Sequence, residues 1–592
     1  MLHSFYIPVM GTGFTIDTPL FVAKYGISSV ISLVDDVLIE QMRKYYCDQL
    51  GETYEAISAQ DIDARACRIT AYLNLLDRLI MEQVKKLRAS SFEPGSEITL
   101  YYELLPDSLP IKKSYYKMLL VDDTAKKKQL QNFLRKAIVS GGVDVNIMAK
   151  LDRDRFHDGK KLPSEFSDAL SALRGYANSN LTSSIILSAG FNPSLYGYIA
   201  NFDDFYPDAN GNIKKQVVLK VSDYRSAMIQ GKYLAKKGIW VSEYRIESSL
   251  NCGGHAFANG GSLMGVILEE FKQKRNELAE GFYPLYSKAL KKKGIQFTQS
   301  PQSIRITAQG GVGTAEEHDF LLNQYGVDAV GWGTPFLFVP EVTNVDNKSL
   351  EKLIAATDED VYLSNSSPLG VPFWNLRTSA SEEMRQKRIL NGKPGSACPK
   401  QYLLFNEKFT GTQLCRASHD YQKAELLKLK KEKLSRMQFD AKVEEVLCKS
   451  CICHDLAGGV AIKYGIDPNA SPAICPGPNI VNFSKAIHLE EMLEHIYGKI
   501  SLITNSTRPH MFIKEVKLNI DHLKNEVRKS LFGLLTGSQQ KMQETKENLL
   551  SGIEYYQQLS KSFMEEQCDS FAKQLKNLRE EIEQMKLVPL TI

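Results

Sequence analysis

Short apolar runs, each closed by a small or turn-forming residue and followed by a helix-period stretch, recur from residue 5 to residue 332. Phe5 to Val9 precedes the turn Gly11-Thr12-Gly13, a helix starts near Thr18-Pro19, and Ile27 to Val34 ends in Asp35-Asp36. The pattern returns at Val143 to Met148, Ser184 to Ala189, Val217 to Val221, Gly238 to Ser242, Ile304 to Ala308 and Ala329 to Trp332. Apolar strands that alternate with helices must be buried on both faces, which only a parallel sheet achieves. This many βα units predict an α/β fold, a (β/α)8 TIM barrel with a helical insertion near the N-terminus and a mainly helical C-terminal region.

The rhythm is interrupted where charged, helix-period sequence such as DARACRITAYLNLLDRLIMEQVKKLR intervenes. Residues 37–139 are therefore expected to form a helical insertion or cap, and residues 1–36 and 140–345 the barrel. A mixed region with loops and a cysteine cluster follows over 346–514, then a lysine- and glutamate-rich helical tail over 515–592. Balanced charge makes that tail a helical packing element, on the barrel or on a second copy in a homodimer, rather than a nucleic-acid arm. The whole chain points the same way, since Lys+Arg 73 against Asp+Glu 69 leaves a net charge of only +4. No window reaches the roughly 18 uninterrupted apolar residues of a membrane span, and the N-terminus lacks the basic and apolar segments of a secretory signal. Ten cysteines in 592 residues are too few for a disulfide framework. A cytoplasmic protein that binds neither nucleic acid nor membrane is the expectation.

The chemistry concentrates in RITAQGGVGTAEEHDFLLNQYGVDAVGWGTPFL, residues 305–337. One strand ends before Gly310-Gly311 and a helix begins near Thr314, so free N–H groups and the helix dipole face whatever binds there. One βα unit later a second strand ends in Gly331-Trp332-Gly333-Thr334. Barrel phosphate sites are commonly built from the last two strand ends in this manner.

These two stretches resemble the FMN phosphate site of the nitronate monooxygenase family, formerly called 2-nitropropane dioxygenases, which includes flavin-dependent enoyl reductases. IPVMGTGFTIDTP, with Met10 and Gly11, is similar to the family's first strand and flavin-side loop. Val145-Asn146-Ile147-Met148 resembles its second flavin-contacting strand, and Asn251-Cys252-Gly253-Gly254-His255 its glycine-glycine-histidine motif. The likeness covers about residues 5–36 and 140–345. It implies FMN as cofactor, with Met10, Gly11, Asn146, Lys220, Gly253, Gly254, Gly310, Gly311, Gly331, Gly333 and Thr334 around it.

A flavin wants amide groups along its pyrimidine edge and a cation or donor near N1. Asn146 offers the first; Lys220, at the end of VVLKV, is either a buried cation or a snorkelling edge residue. His255 is the candidate acid/base residue, able as neutral imidazole to take a proton α to a nitro or carbonyl group or to hydrogen-bond the developing anion. The segment before it, SEYRIESS, reads as a polar loop in which Glu243, Tyr244, Arg245 and Glu247 face the substrate, Arg245 suiting an anion or else forming an ion pair.

Cys448, Cys451, Cys453 and Cys475 are a candidate metal set for an iron–sulfur cluster or zinc, with buried thiols as the plain alternative. Cys451-Ile452-Cys453 is similar to a cysteine-x-cysteine stretch in some larger bacterial members of the same family. The expected activity is an FMN-dependent oxidoreductase of nitronate monooxygenase type, oxidising a small carbanion-forming substrate with O2. The alternatives are an NAD(P)H-dependent flavin reductase, with or without an iron–sulfur relay, and a non-catalytic FMN-binding assembly protein.

Overall fold

The computed structural model describes residues 2–188, 190–251, 255, 260–297, 300–404, 413–505, 507–532, 534, 539–562 and 565–587. Its centre is a parallel sheet of eight strands: β1 (Phe5–Tyr6), β2 (Ser29–Ser32), β3 (Val143–Met148), β4 (Ser183–Ser188), β5 (Lys215–Val221), β6 (Val241–Glu247), β7 (Arg305–Gln309) and β8 (Ala329–Gly331). The order is β1-β8-β7-β6-β5-β4-β3-β2, and a parallel bridge between Ile7 and Ser29 brings the first strand back to the second. The sheet is thus a nearly closed barrel of TIM type, with a helix or 3-10 turn after each strand.

Alternation along the strands sorts side chains between the barrel interior and the helical ring. Tyr244 and Ile246 of β6 pack outward into the large core, where Tyr244 meets Phe271 of the helix Met264–Lys293. Val30, Ile186 and Val218 face the other way and form a small interior cluster with Val9 against it. Beside that cluster lies a buried charge network. Arg245 Nε and Nη2 donate to Glu243 Oε1 at 2.9 and 2.7 Å, Thr307 donates to the same oxygen at 2.6 Å, and Arg305 pairs with Oε2 at 2.7 Å. The Arg245 guanidinium also sits 4.0 Å from the centre of the Tyr6 ring.

This network corrects the reading of SEYRIESS. The strand runs over Val241–Glu247, not Gly238 to Ser242, so the polar residues belong to the strand itself. Its alternation was masked because the inward positions carry charges that neutralise one another. Arg245 is 3% exposed and committed to Glu243, hence no receptor for an anionic substrate, and Glu243 and Tyr244 are equally removed from solvent. Only Glu247 of this group reaches the mouth.

Between β2 and β3 lie the helices Asp36–Leu50, Ala64–Ala89, Glu97–Glu103, Pro110–Leu119 and Thr124–Ala137. Asp35 caps the first by accepting from Leu38 N–H, and buried Asp36 holds both Arg65 and Arg68 of the second. Beyond the barrel, helices Met511–Leu531, Gln539–Leu559 and Glu565–Gln584 form a bundle on the helix Met264–Lys293. No helix among the described residues is long and apolar enough to cross a membrane.

Candidate functional site

Gly310 and Gly311 leave β7 with φ of +102° and +94°, a turn that side chains rarely tolerate. The helix Ala315–Tyr325 follows, its N-cap Thr314 accepting from Glu317 N–H. Gly333 caps the 3-10 helix Thr334–Phe338 after β8. The two strand ends are neighbours in the sheet, so Gly310, Gly311, Gly331, Gly333 and Thr334 line a single cleft, with Asn251 across from them. Among the described residues, the backbone N–H groups of Gly311, Val312 and Thr334 make no hydrogen bond to protein. The cleft therefore presents unspent donors beside a helix N-terminus, the requirement for holding a dianion. Gly331 has a second task, since a Cβ there would come within 2.9 Å of the Tyr6 hydroxyl.

Two further residues reach this cleft from the distant C-terminal region. Arg508 donates to both carboxylate oxygens of Glu317 at 2.7 and 2.8 Å and to the Gly311 carbonyl at 3.1 Å, while its buried Nε has no partner. Asn479 donates to the carbonyls of Gly311 and Val312. Neither carries a local motif; Arg508 lies in the unremarkable stretch TNSTRPH.

At the barrel mouth, Lys220 Nζ pairs with Glu247 at 2.8 Å, and Glu247 also accepts from Gln309 at 2.7 Å and Asn251 at 2.6 Å. Lys220 is thus a half-buried, paired cation of the strand end. His255 Nε2 lies 2.7 Å from the Ser367 hydroxyl, and its ring meets Phe373 edge-on. Burial, then the nearby charges of Lys150 and Lys220, lower its pKa to about 4, so the imidazole is neutral near pH 7. The side-chain oxygens of Asn146 and Asn251 and the Thr12 hydroxyl are buried without a partner. Buried polar atoms are rarely left so unless something else satisfies them. Met10 is fully buried and Gly11 packs against Phe14 and Leu456. Cys252, Gly253 and Gly254 lie outside the described residues.

The expected cysteine set separates. Cys448 Sγ contacts the carbonyls of Glu445 and Asn365, at 3.2 and 3.4 Å, and Cys475 is buried in the large core. Cys451 and Cys453 instead share a distinct buried cluster with Cys398 and Cys415, which spacing alone does not reveal because they lie 36 or more residues upstream. Among the described residues, no three His, Cys, Asp or Glu side chains are set to hold a single metal ion.

Compared with known proteins, the chain matches no family model and no curated protein sequence.

Proposed function

We propose that the barrel binds FMN through its phosphate and works as an oxidoreductase of nitronate monooxygenase type on a small carbanion-forming substrate. The observation that carries this reading is the meeting of two glycine turns in one cleft whose backbone donors are unspent. Gly311, Val312 and Thr334 would hold the phosphate, with Arg508 close behind the turn. Asn146, Asn251 and Thr12 supply the orphaned polar atoms that a ring with amide and carbonyl edges would satisfy. Bound FMN would supply the capacity to accept electrons from the substrate.

The surroundings of His255 favour one of its two expected roles. A base whose conjugate acid has a pKa of about 4 drives proton abstraction poorly near pH 7. A neutral imidazole beside Lys150 and Lys220 is better suited to stabilising a substrate that is already an anion, as a nitronate is. A second reading, the NAD(P)H-dependent reductase with an electron relay, draws support from the buried group of four thiols on the same side of the barrel.

The purified protein should be yellow and release about one equivalent of FMN on denaturation, as a single barrel phosphate site requires. Under anaerobic conditions a nitronate should bleach the flavin and NAD(P)H should not; the reverse would select the reductase, and bleaching by neither the assembly protein. Colourless protein that takes up no FMN on titration would overturn the flavin assignment.

A further inference from the structure

Four of the ten cysteines, Cys398, Cys415, Cys451 and Cys453, are 5%, 1%, 3% and 7% exposed and share one small cluster with Tyr402, Leu403 and Ala417. Their thiols touch in series, Cys398 meeting Cys415 and Cys451, and Cys451 meeting Cys453. They come from three separate stretches of chain, so the fold has gone out of its way to gather them. As packing, four thiols have little to recommend them over methyl groups of similar size. As ligands they are the soft donor set preferred by iron–sulfur clusters and zinc.

The protein around the sulfurs is arranged for ligands rather than for filler. Ala417 N–H donates to Cys415 Sγ at 3.5 Å, and the Ser396 hydroxyl reaches Cys451. Hydrogen bonds to sulfur of this kind stabilise and tune thiolates bound to iron. Cys398 and Gln401 both adopt positive φ, +53° and +57°, an uncommon conformation for side-chain-bearing residues. That loop is held down by Arg153 donating to the Gln401 carbonyl at 2.6 Å, by Lys400 on Asp35, and by the Tyr402 hydroxyl on Asp35 and Asp36 at 3.0 and 3.2 Å.

We propose that Cys398, Cys415, Cys451 and Cys453 are the four ligands of an iron–sulfur cluster. A cluster is several ångströms wide and its ligands surround a body, whereas zinc draws four ligands onto one point. The four sulfurs here meet in series, Cys415 to Cys398 to Cys451 to Cys453, an arrangement that suits an extended body better than a single point. Thiols bind metal as thiolates, so the four cysteines would give up their protons on binding. Iron would take the place of those protons and compensate the thiolates.

The seat belongs to the same end of the barrel as the glycine cleft. Asp35 and Asp36 follow β2, and Leu151, packed against the thiol cluster, follows β3. The residues just after Cys453 return to the loop after β1, where a Cβ on Gly13 would lie 2.9 Å from Val460. The cluster assignment stands on the cysteines alone and does not need the flavin.

Full-length protein purified anaerobically should contain iron and acid-labile sulfide in equal amounts, with a visible absorption that bleaches on reduction. Cys398→Ser and Cys415→Ser should lose both, whereas Cys448→Ser and Cys475→Ser should retain them; FMN is assayed on the same samples, so that failure of either site is seen separately. Because a serine variant can misfold, unsubstituted protein stripped of metal is also reconstituted with ferrous iron and sulfide, and recovery of the absorption is expected. Zinc without sulfide would overturn the proposal, as would unsubstituted protein that takes up no iron and sulfide on reconstitution. Iron that survives in Cys398→Ser and Cys415→Ser but not in Cys448→Ser would overturn it as well.

Discussion

A side chain at position 311 would point into Leu250, its Cβ 2.9 Å from that residue's Cδ1, on a backbone at φ +94°. Gly311→Val should therefore close the phosphate cleft and abolish FMN uptake while the far strands of the barrel remain intact. Flavin titration alongside circular dichroism checks this, and normal uptake would place the phosphate elsewhere. His255 makes a different kind of contribution, because it contacts Ser367 and Phe373 rather than the glycine turns. His255→Ala should keep the flavin and slow its reduction by substrate by ~10²-fold, the scale for removing one hydrogen-bond donor from an anion-stabilising site. Stopped-flow reduction under anaerobic conditions would show it; unchanged kinetics would make the histidine a packing residue. The two glycine turns were legible in sequence because each follows the end of its own strand. Arg508 was not, because its meaning comes entirely from Glu317, 191 residues away.

The element that ties the C-terminal bundle to the barrel is the helix Met511–Leu531, through a carboxyl group. Glu515 accepts from Met264 N–H at 3.0 Å and from the Tyr556 hydroxyl at 2.9 Å, joining three helices in one buried contact. Burial raises its pKa from 4.5 to about 7. Below pH 4.5 the group is protonated folded or unfolded and carries no penalty. As pH rises to about 7 the unfolded chain ionises first, so the native state loses stability over that window and stays at the lower level above it. Glu515→Gln cannot ionise. Its melting temperature relative to the unsubstituted protein should rise between pH 4.5 and pH 8, by the equivalent of roughly 3 kcal/mol, because each tenfold change in acidity between the folded and unfolded chain is worth ~1.4 kcal/mol. A difference independent of pH, measured by calorimetry, would mean that the carboxyl titrates normally. Strand β6 gives the matching lesson in sequence reading: its inward charges hid a period-2 pattern that outward Tyr244 and Ile246 obey.

Across the whole molecule the buried histidines govern the response to acid. His3, His255 and His318 all have pKa values lowered from 6.5 to about 4, in each case chiefly by burial. His318 is further fixed as a neutral tautomer, because Trp332 donates its indole N–H to Nδ1 at 3.0 Å, leaving Nε2–H to donate to the Ser4 hydroxyl at 2.9 Å. Above pH 6.5 these rings are neutral in both states. As pH falls toward 4 the unfolded chain takes up protons that the folded one refuses, so stability is lost across that window. Three such groups outweigh the opposite trend of Glu515. The melting temperature should fall steadily from pH 6.5 to pH 4, and a flat profile would show that these rings are accessible to protons in the native protein.

Sequence by itself determined what depends on near neighbours. The approximate positions of seven of the eight strands, the Thr314 cap and the glycine turns follow from side-chain size, backbone freedom and the 2.0 and 3.6 periodicities, which act over a few residues. Strand β3 lies over Val143–Met148, the bounds its apolar run suggests. Tertiary structure decided which distant residues meet. Spacing grouped Cys448 and Cys475 with the Cys451–Cys453 pair, whereas the fold replaced them with Cys398 and Cys415; sequence left Arg245 as either a substrate receptor or an ion pair, and the fold turned it inward onto Glu243. The physical reason is common to both. The entropic cost of bringing two segments together grows only slowly with the length of chain between them, so closeness in sequence has little power to choose among distant partners. That choice is made by the closure of the barrel and by the requirement that every charge and thiol buried inside it find a partner.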